Sequence, residues 1–351
     1  MEKLDFQTEF SLRLKQIESM IYKLLPKNPN SEWICDSFGK NGVFASEKQF
    51  DTLIAPARYL VENGGKRWRP LLLVLCSEAV CGKSNDAAFA LAPLVELAHT
   101  ASLIHDDIED NSDERRGKVA AHISFGLDVA LNSASWLYFQ ASTCISSAPI
   151  FDTERLILFE LFNQELRRLH LGQAMDILWH KNPSLIPTTA EYISMVRNKT
   201  GTLVRLAVKT GIVAGGGDEE LCKKAGKIAE DIGTGFQILD DVKNLTDGNP
   251  GKKRGDDIVE GKKSLPVLLH LLECPNDATE LAGLVSRARQ EGIESKAVEE
   301  AIELLTKSGS IKKAFEEGRK LIETKTAELV NLFGKSRASI LIYELFSTLK
   351  K

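Results

Sequence analysis

The sequence has few cysteines, and none of them is arranged for a disulfide framework. The 351 residues include six cysteines, and no pair has the C-x-x-C spacing. Several lie in apolar helical stretches, so we interpret them as reduced core residues of a cytoplasmic protein. A small disulfide-stapled fold is therefore excluded, and nothing in the pattern supports a catalytic thiol. The six are Cys35, Cys76, Cys81, Cys144, Cys222 and Cys274.

The chain also lacks the marks of a membrane-spanning or nucleic-acid-binding protein. No apolar run reaches the roughly 18–20 residues that span a bilayer. The first ten residues have no apolar signal-peptide core, and residues 348–351 hold no prenylation-type cysteine. The net charge of −4 gives no sign of a nucleic-acid surface. We therefore expect a cytoplasmic protein with no transmembrane segment and no nucleic-acid partner.

Strict polar–apolar alternation, the mark of a half-buried strand, is essentially absent. Apolar residues recur at spacings of three and four between breakers, which predicts an all-α chain. Residues 276–351 are predicted to form four short, charged amphipathic helices that cap the bundle and contain little chemistry. The chain has no fixed-period repeat and no flexible linker, and its length allows one large domain or two smaller ones.

Two acid-rich segments are the main functional signal. They are residues 106–110, DDIED, and residues 240–244, DDVKN. In each, the first and fifth side chains leave the same face of a helix. Such strings are often solvated helix faces or caps, but here apolar residues precede both of them. Carboxylates crowded on an apolar face repel one another, and a hard cation with oxygen ligands removes that conflict. The pattern predicts a Mg²⁺ site.

Cations gather in separate places. Residues 64–70, GGKRWRP, place Lys66, Arg67 and Arg69 within four residues. Glycines allow close backbone approach and arginine forks bind phosphate, although a solvated loop is the alternative. More cations follow at 115–116, at Lys199, at 252–254 and at 262–263. Acid and basic clusters together suggest two polyanions, one held through metal ions and one by direct contact with cations.

Three polar residues interrupt apolar helical stretches, namely His99, Gln173 and Gln237. A lone histidine in such a stretch is usually a satisfied core residue. His99, however, lies seven residues before Asp106, about two helical turns, so it shares a face with the acids.

The chain resembles the trans-type isoprenyl diphosphate synthases, which make farnesyl, geranylgeranyl and longer polyprenyl diphosphates. The similarity covers roughly residues 50–270. The matching strings are GGKRWRP (64–70), HTASLIHDDIED (99–110), RRG (115–117), GQAMD (172–176), KTGTL (199–203), GFQILDD (235–241) and GKKRGDDIVEGKKS (251–264). The resemblance implies a single all-α domain over 1–351, with antiparallel helices around a large central cavity. It also implies a homodimer, two to three Mg²⁺ ions, and catalytic motifs within 64–264.

The resemblance also implies the role of each matching residue. Metal binding, and through it binding of the allylic diphosphate, falls to Asp106, Asp107, Asp110, Asp240 and Asp241. Direct contact with the allylic diphosphate falls to Arg115, Lys199, Thr200, Gln237, Lys252 and Lys262. The isopentenyl diphosphate site comprises Gly65, Lys66, Arg69, His99 and Arg116. Gln173 and Asp176 match a helix that faces the reacting carbons.

The second acid segment departs from the family pattern at Asn244, where most members have aspartate. Asparagine keeps an oxygen ligand and drops a charge, and Lys243 lowers the local negative charge further. Because Asp247 is close by, we expect catalysis to survive. A site with two metal ions and a weakened third is the alternative.

Product length is set by the floor of the tail cavity, and the resemblance places that floor four and five residues before Asp106. Ser102 and Ala101 are both small, which predicts a product of twenty carbons or more. Trp136, Tyr138 or Phe139 could close the tunnel lower down, or could be ordinary core aromatics. We expect geranylgeranyl diphosphate, with farnesyl or longer chains as alternatives.

Three other functions compete with an active synthase. A non-catalytic partner subunit of the same fold rests only on Asn244, because the GGKRWRP cations and the first acid segment are intact. A terpene cyclase would need no second diphosphate site, so Lys66, Arg69 and Arg116 argue against it. A purely structural helical bundle would leave seven ordered motifs to coincidence.

Overall fold

The computed structural model describes residues 6–39, 45–248 and 253–349. These residues form two compact units, and each unit is assembled from three separate stretches of chain. The first unit comprises Met1–Asn163, Leu206–Gly226 and Val330–Leu345, and the second comprises Gln164–Arg205, Lys227–Leu329 and Phe346–Lys351. The boundaries fall inside helices, and a single domain over 1–351 stays a prediction.

The described residues of the first unit are helical apart from connecting segments and one short hairpin. Its elements, together with the part of α8 before residue 164, are α1 (Phe6–Leu24), α2 (Ser31–Phe38), α3 (Glu47–Glu62), α4 (Trp68–Cys81), α5 (Asp86–Glu109), β1 (Glu114–Arg115), β2 (Lys118–Val119), α6 (Ala121–Phe125) and α7 (Leu127–Ser147). Most of α10 (Thr202–Ala214) and α17 (Arg337–Leu349) also belongs to this unit.

Helix α5 is the central helix of the first unit. It begins where the Asn85 side chain accepts a hydrogen bond from the Ala87 N–H, and its residues from 87 to 98 are almost all buried. A helix that is apolar on all sides belongs in a core. By length and composition α5 could cross a membrane, contrary to the sequence expectation, yet 78% of its apolar window is buried inside the protein. That burial is what a core helix requires.

The second unit is also helical. It holds most of α8 (Asp152–Lys181) and of α11 (Glu219–Thr246), and a π-helical turn, Arg197–Gly201, joins α9 to α10. Its remaining elements are α9 (Thr189–Val196), α12 (Asp256–Glu260), α13 (Leu265–Glu273), a 3₁₀ turn (Pro275–Asp277), α14 (Ala278–Glu291), α15 (Lys296–Lys307) and α16 (Ser310–Phe333).

The C-terminal region and the cysteines match the sequence expectations in part. Four helices, α14 to α17, follow residue 276 as predicted, although α16 has 24 residues and is not short. The cysteines are all free, but only Cys76, Cys144 and Cys222 are buried. Burial raises the pKa of the Cys222 thiol to about 11, so that thiol stays protonated. The other three cysteines are partly exposed, which corrects the interpretation of all six as core residues.

Candidate active site

The first acid segment lies at the C-terminal end of α5, where Asp110 caps the helix. Asp106 and Asp110 are partly exposed, whereas Asp107 is 1% exposed. Arg115 Nε donates to Asp107 Oδ1 at 2.7 Å, and Arg115 Nη2 lies 3.3 Å from Asp106 Oδ2. Burial lowers the pKa of Arg115, but the Asp107 and Asp106 carboxylates outweigh that effect and raise it. A permanent cation therefore orients two of the three acids.

A two-residue turn holds the arginine pair in place. Strands β1 and β2 pair antiparallel, and Arg116 and Gly117 between them have φ of 56° and 70°. Positive φ at both positions is the type I′ geometry that matches the strand twist. It costs a non-glycine residue about 1–2 kcal/mol. Arg116 is held there by hydrogen bonds from its Nη1 to the Leu60 carbonyl, at 2.8 Å, and to the Gly64 carbonyl.

The cations of the 64–70 loop have different roles. Arg67 points inward and is 4% exposed. Its Nη1 donates to Glu96 Oε1 at 2.8 Å and to the Gly64 carbonyl at 3.0 Å. Arg67 is thus neutralised in the core, which agrees with its absence from the residues predicted to bind isopentenyl diphosphate. Lys66 is exposed, as a phosphate-binding residue requires.

Gly65 allows two guanidinium groups to approach the loop backbone. A Cβ at this position would lie 2.6 Å from Arg67 Nη1 and 3.0 Å from Arg116 Nη2. Within the described part of the chain, Arg116 makes no ion pair. Burial lowers the pKa of Arg116, Glu96 raises it, and neighbouring arginines lower it again. A surplus of positive charge against bare backbone is an arrangement that favours an anion.

His99 lies beside Arg69, a grouping that the family resemblance implied. Its Nε2 is 3.4 Å from Arg69 Nη1, and the Arg69 guanidinium lies 4.4 Å from the Trp68 ring centroid. Burial and the positive charge of Arg69 and Arg116 hold the pKa of His99 well below its ordinary value. The imidazole is therefore neutral at physiological pH. Nε2 then accepts from Arg69, and Nδ1 carries the proton.

In the second unit, Asp241 is the buried member of the other acid pair. Tyr192 Oη donates to Asp241 Oδ2 at 2.6 Å, and Gln237 Nε2 donates to Oδ1 at 2.9 Å. The Leu265 N–H also points to Oδ2, at 3.4 Å. Burial raises the pKa of Asp241 to about 6, although these donors oppose the rise. Asp240, the other member of the pair, is exposed, so its carboxylate faces solvent.

Two lysines of the second unit share one buried carboxylate. Lys199 Nζ lies 2.7 Å from Asp176 Oδ2, and Lys262 Nζ lies 3.1 Å from the same oxygen. Beside them, Thr200 Oγ1 donates to Gln237 Oε1 at 2.7 Å. The predicted residues of this set are therefore brought together. Lys262 Nζ also lies 3.7 Å from Glu260 Oε2, so carboxylates hold both lysines in place.

Glycines make this arrangement possible, because α8 and the π turn approach each other closely. A Cβ on Gly172 would lie 2.8 Å from Asn198 C and from Lys199 Cα. A Cβ on Gly233 of α11 would lie 2.8 Å from the Gly201 Cα. Single π-helical turns are frequent at functional sites, and this one contains Lys199. The glycines of the GQ and KTG motifs thus serve packing and not ligand contact.

Asn244 does not present its oxygen to a ligand. The side chain is 1% exposed, and its Oδ1 accepts the Asp257 N–H at 3.2 Å. Its backbone carbonyl accepts the Gly255 N–H at 2.8 Å. The sequence expectation that Asn244 keeps an oxygen ligand for the metal is therefore corrected. The residue anchors the start of α12.

The residues predicted to set product length all lie in the first unit. Ala101 is fully buried and Ser102 is partly buried. Tyr138 is buried, and its ring stacks on that of His105, the residue before Asp106, with centroids 5.5 Å apart. Trp136 packs edge-on against Trp33. Phe139 is 76% exposed, so it is excluded as an internal floor. The roles of the others stay predictions.

The candidate residues thus form one set in each unit. The first unit holds the 106–110 acids, Arg115 and Arg116, with Gly65, Lys66, Arg69 and His99. The second holds Asp240 and Asp241 with Gln173, Asp176, Lys199, Thr200, Gln237 and Lys262. Lys252 lies outside the described residues. Sequence reasoning missed Tyr192 and Glu96, and a polar residue in a buried helical stretch was the available signal for both.

The chain is similar in sequence to a protein family and two of its relatives, and similar in fold to a solved structure. The polyprenyl synthetase family model matches residues 50–305. Geranylgeranyl pyrophosphate synthase 2 of Zymoseptoria tritici is 34% identical over 278 residues, which cover 79% of each chain. Geranylgeranyl pyrophosphate synthase of Neocamarosporium betae is 33% identical over 297 residues, 82% of each chain. The geranylgeranyl pyrophosphate synthetase structure from Pyrococcus horikoshii has a TM-score of 0.84 at 28% identity, covering 99% of this chain and 98% of the other. This likeness and the helical elements confirm the predicted all-α fold.

Proposed function

The chain belongs to the polyprenyl synthetase family, and from that premise we propose that it makes geranylgeranyl diphosphate. It is a prenyltransferase that joins an allylic diphosphate to isopentenyl diphosphate and releases diphosphate. The observation that carries the twenty-carbon product is the pair of small side chains, Ala101 and Ser102, one turn before Asp106 on α5. The geranylgeranyl names of the relatives from Zymoseptoria tritici and Neocamarosporium betae support the same product.

The donor set fits Mg²⁺, which takes oxygen ligands and prefers one or two carboxylates plus phosphates. Asp106, Asp110 and Asp240 are the acids most exposed for this role, whereas Asp107 and Asp241 are buried and engaged by donors. A ligand role for those two stays a prediction, as does the number of ions. When bound, Mg²⁺ would neutralise the allylic diphosphate and stabilise the charge on the departing group.

The cations of the first unit suit isopentenyl diphosphate. Lys66 and Arg69 offer a point charge and a fork to the phosphates, and Arg116 adds a cation that no acid of the described chain pairs with. Neutral His99 keeps Nδ1–H as a donor while Nε2 orients Arg69. Gly65 keeps the loop backbone open to Arg116.

Lys199, Lys262 and Arg115 are the cations proposed to hold the allylic diphosphate. As its carbon–oxygen bond breaks, the electron pair leaves with the diphosphate and an allylic cation remains. The double bond of isopentenyl diphosphate attacks that cation and forms the new carbon–carbon bond. The proton lost in restoring a double bond passes to the departed diphosphate, so no side-chain base is required. Sharing of Asp176 keeps both lysines oriented before substrate arrives.

The experiment is an incubation of the protein with Mg²⁺, labelled isopentenyl diphosphate and each of dimethylallyl, geranyl and farnesyl diphosphate. We expect one twenty-carbon product. Ser102→Phe should stop growth at fifteen carbons, because an aromatic would then lie one turn before Asp106. Ser146→Phe, an exposed serine of α7, is the matched control and should leave product length unchanged.

A fifteen-carbon product from the unaltered protein would reject the proposed floor and leave the reaction intact. No product from folded protein with any primer would reject the enzyme itself in favour of a non-catalytic subunit. The non-catalytic alternative was based only on Asn244 as a lost metal ligand. Asn244 is instead buried and binds the start of α12, so it no longer supports that alternative.

We also propose a homodimer. Leu127, Leu131 and Phe139 are exposed apolar residues of α7, and Leu156 and Ile157 are exposed at the start of α8. Several large exposed apolar side chains on neighbouring stretches of the chain favour an interaction site there. Sedimentation should give twice the 38.8 kDa chain mass. Leu131→Glu should shift the protein toward monomer, and an unchanged dimer would place the interface elsewhere.

A further inference from the structure

A second group of potential metal ligands lies at the other end of α13 from Leu265. His270, Cys274 and Asp277 place one ligand atom each within 4.8 Å of one another. His270 Nε2 is 3.4 Å from Asp277 Oδ2. None of the three belongs to the residues proposed to bind substrate or Mg²⁺.

Local structure brings the three side chains together. His270 is in the last turn of α13, and Cys274, four residues later, ends that helix with its N–H bonded to the His270 carbonyl at 2.8 Å. Pro275 then starts a tight turn, in which the Asp277 N–H donates to the Cys274 carbonyl at 3.0 Å. The spacing of four and then three residues keeps all three side chains on one side of the chain.

The histidine gives independent evidence for a ligand. His270 is 1% exposed, and neither ring nitrogen makes a hydrogen bond within the described part of the chain. Burying both ring nitrogens without a hydrogen bond is costly, even with the Asp277 carboxylate 3.4 Å from Nε2, and each such case in a native protein needs an explanation. Asp277 stands at the N-cap of α14 but makes no cap hydrogen bond, so its carboxylate is not used by the helix.

We propose that His270, Cys274 and Asp277 bind a zinc ion that joins the end of α13 to the start of α14. Nitrogen, thiolate and carboxylate are the ligand types that zinc takes. With metal–ligand distances of about 2.0–2.3 Å, tetrahedral geometry puts neighbouring ligand atoms about 3.3–3.6 Å apart. The 3.4 Å separation of Nε2 and Oδ2 meets that requirement. The sulfur lies at most 4.8 Å from the other two ligand atoms, so it must move by about 1.3 Å at most.

Partial exposure of Cys274 and Asp277 gives the ion a path from solvent. On binding, the thiol loses its proton to solvent, and three protein ligands leave the fourth position to water. The ion has no part in the transfer reaction. Its effect is to fix the turn that follows α13. The first residue of α13, Leu265, directs its N–H to the Asp241 carboxylate.

The test uses Co²⁺ alone as a spectroscopic probe, with Mg²⁺ in excess to occupy sites made only of carboxylates. The full chain should bind one Co²⁺ and show a thiolate-to-cobalt charge-transfer band, which competing Zn²⁺ abolishes. Cys274→Ser should lose the band, and Asp277→Asn should weaken Co²⁺ binding tenfold or more. Cys35→Ser, another partly exposed cysteine, is the matched control and should keep the band.

Two results would overturn the proposal. One is the absence of a charge-transfer band on folded protein at stoichiometric Co²⁺, which would leave a simple histidine–aspartate ion pair. The other is a band that persists in Cys274→Ser, which would assign the metal to another thiol. As a second readout, Zn²⁺ should raise the melting temperature of the unaltered protein and of Cys35→Ser but not of Cys274→Ser.

Discussion

The substitution Asn244→Asp restores the aspartate that the family pattern leads one to expect, and we predict that it destabilises the protein. Asn244 is 1% exposed, and among the residues that the structure describes one donor contacts its side-chain oxygen, the Asp257 N–H at 3.2 Å. A carboxylate there would be buried with a single hydrogen bond, beside the acidic first turn of α12.

Asp241 gives the scale of the effect. Its pKa is raised from 3.8 to about 6, although three donors contact it. An aspartate at 244 with one donor should be raised at least as far. A carboxyl group with that shift costs the folded state about 3 kcal/mol at neutral pH. Because the folded-state pKa lies above the unfolded one, the cost is full above pH 6 and disappears as the pH falls toward 4.

The measurement is urea unfolding of the two proteins at pH 7.5 and at pH 5. We expect Asn244→Asp to lose about 3 kcal/mol of unfolding free energy at pH 7.5 and about half of that at pH 5. Asn331→Asp, an exposed asparagine of α16, should change stability by only a few tenths of a kcal/mol. Unchanged stability at pH 7.5 together with tighter Mg²⁺ binding would refute the reasoning and make residue 244 an open metal position.

Three further predictions follow from the contacts of the site. Tyr192→Phe removes a buried donor to Asp241 and should cost about 1.5–3 kcal/mol of unfolding free energy, measured by urea unfolding. Activation by Mg²⁺ should also be weaker. Equal stability would mean that the hydroxyl is not needed. Gly172→Ala forces the π turn away from α8 and should lower kcat and stability, by about 1–3 kcal/mol, whereas Gly283→Ala, with nothing within 4 Å, should stabilise the protein slightly. The His99 ring should not titrate near pH 6.5 in an NMR titration, because its folded-state pKa is lowered. For the same reason the free energy of unfolding should fall as the pH drops below about 6.5, and it should fall less in His99→Gln.

Periodicity was sufficient to predict the helices, because each buries a face set by its own sequence. The position of α5 and of its terminal acids followed from apolar spacing and from the breakers after Asp110. The hairpin carrying Arg115 was not predicted, because two-residue strands leave no alternation to read.

Partners distant in the chain account for what the sequence could not predict. Lys66, Arg67 and Arg69 look alike as a string, and only Glu96, 29 residues away, determines that Arg67 is the one turned inward. Tyr192 lies 49 residues from Asp241, so no local pattern connects the two. Spacing finds residues on one face of a helix, but it does not reveal which packed neighbour that face meets.

The two aspartate pairs show why a pair is needed at all. In each, the second aspartate is the buried one: Asp107 is held by Arg115, and Asp241 by Tyr192 and Gln237. A buried carboxylate must be satisfied by donors, so it fixes the end of its helix, while the first aspartate of each pair remains more exposed for a cation.

The fifth position of each acid segment follows a different rule. Asp110 caps α5 and stays partly exposed, whereas Asn244 still lies within α11 and is covered by the start of α12. The same spacing within the two segments therefore gives a candidate metal ligand at Asp110 and a structural anchor at Asn244. A neutral side chain can be buried at position 244 without a counter-charge, whereas a carboxylate cannot.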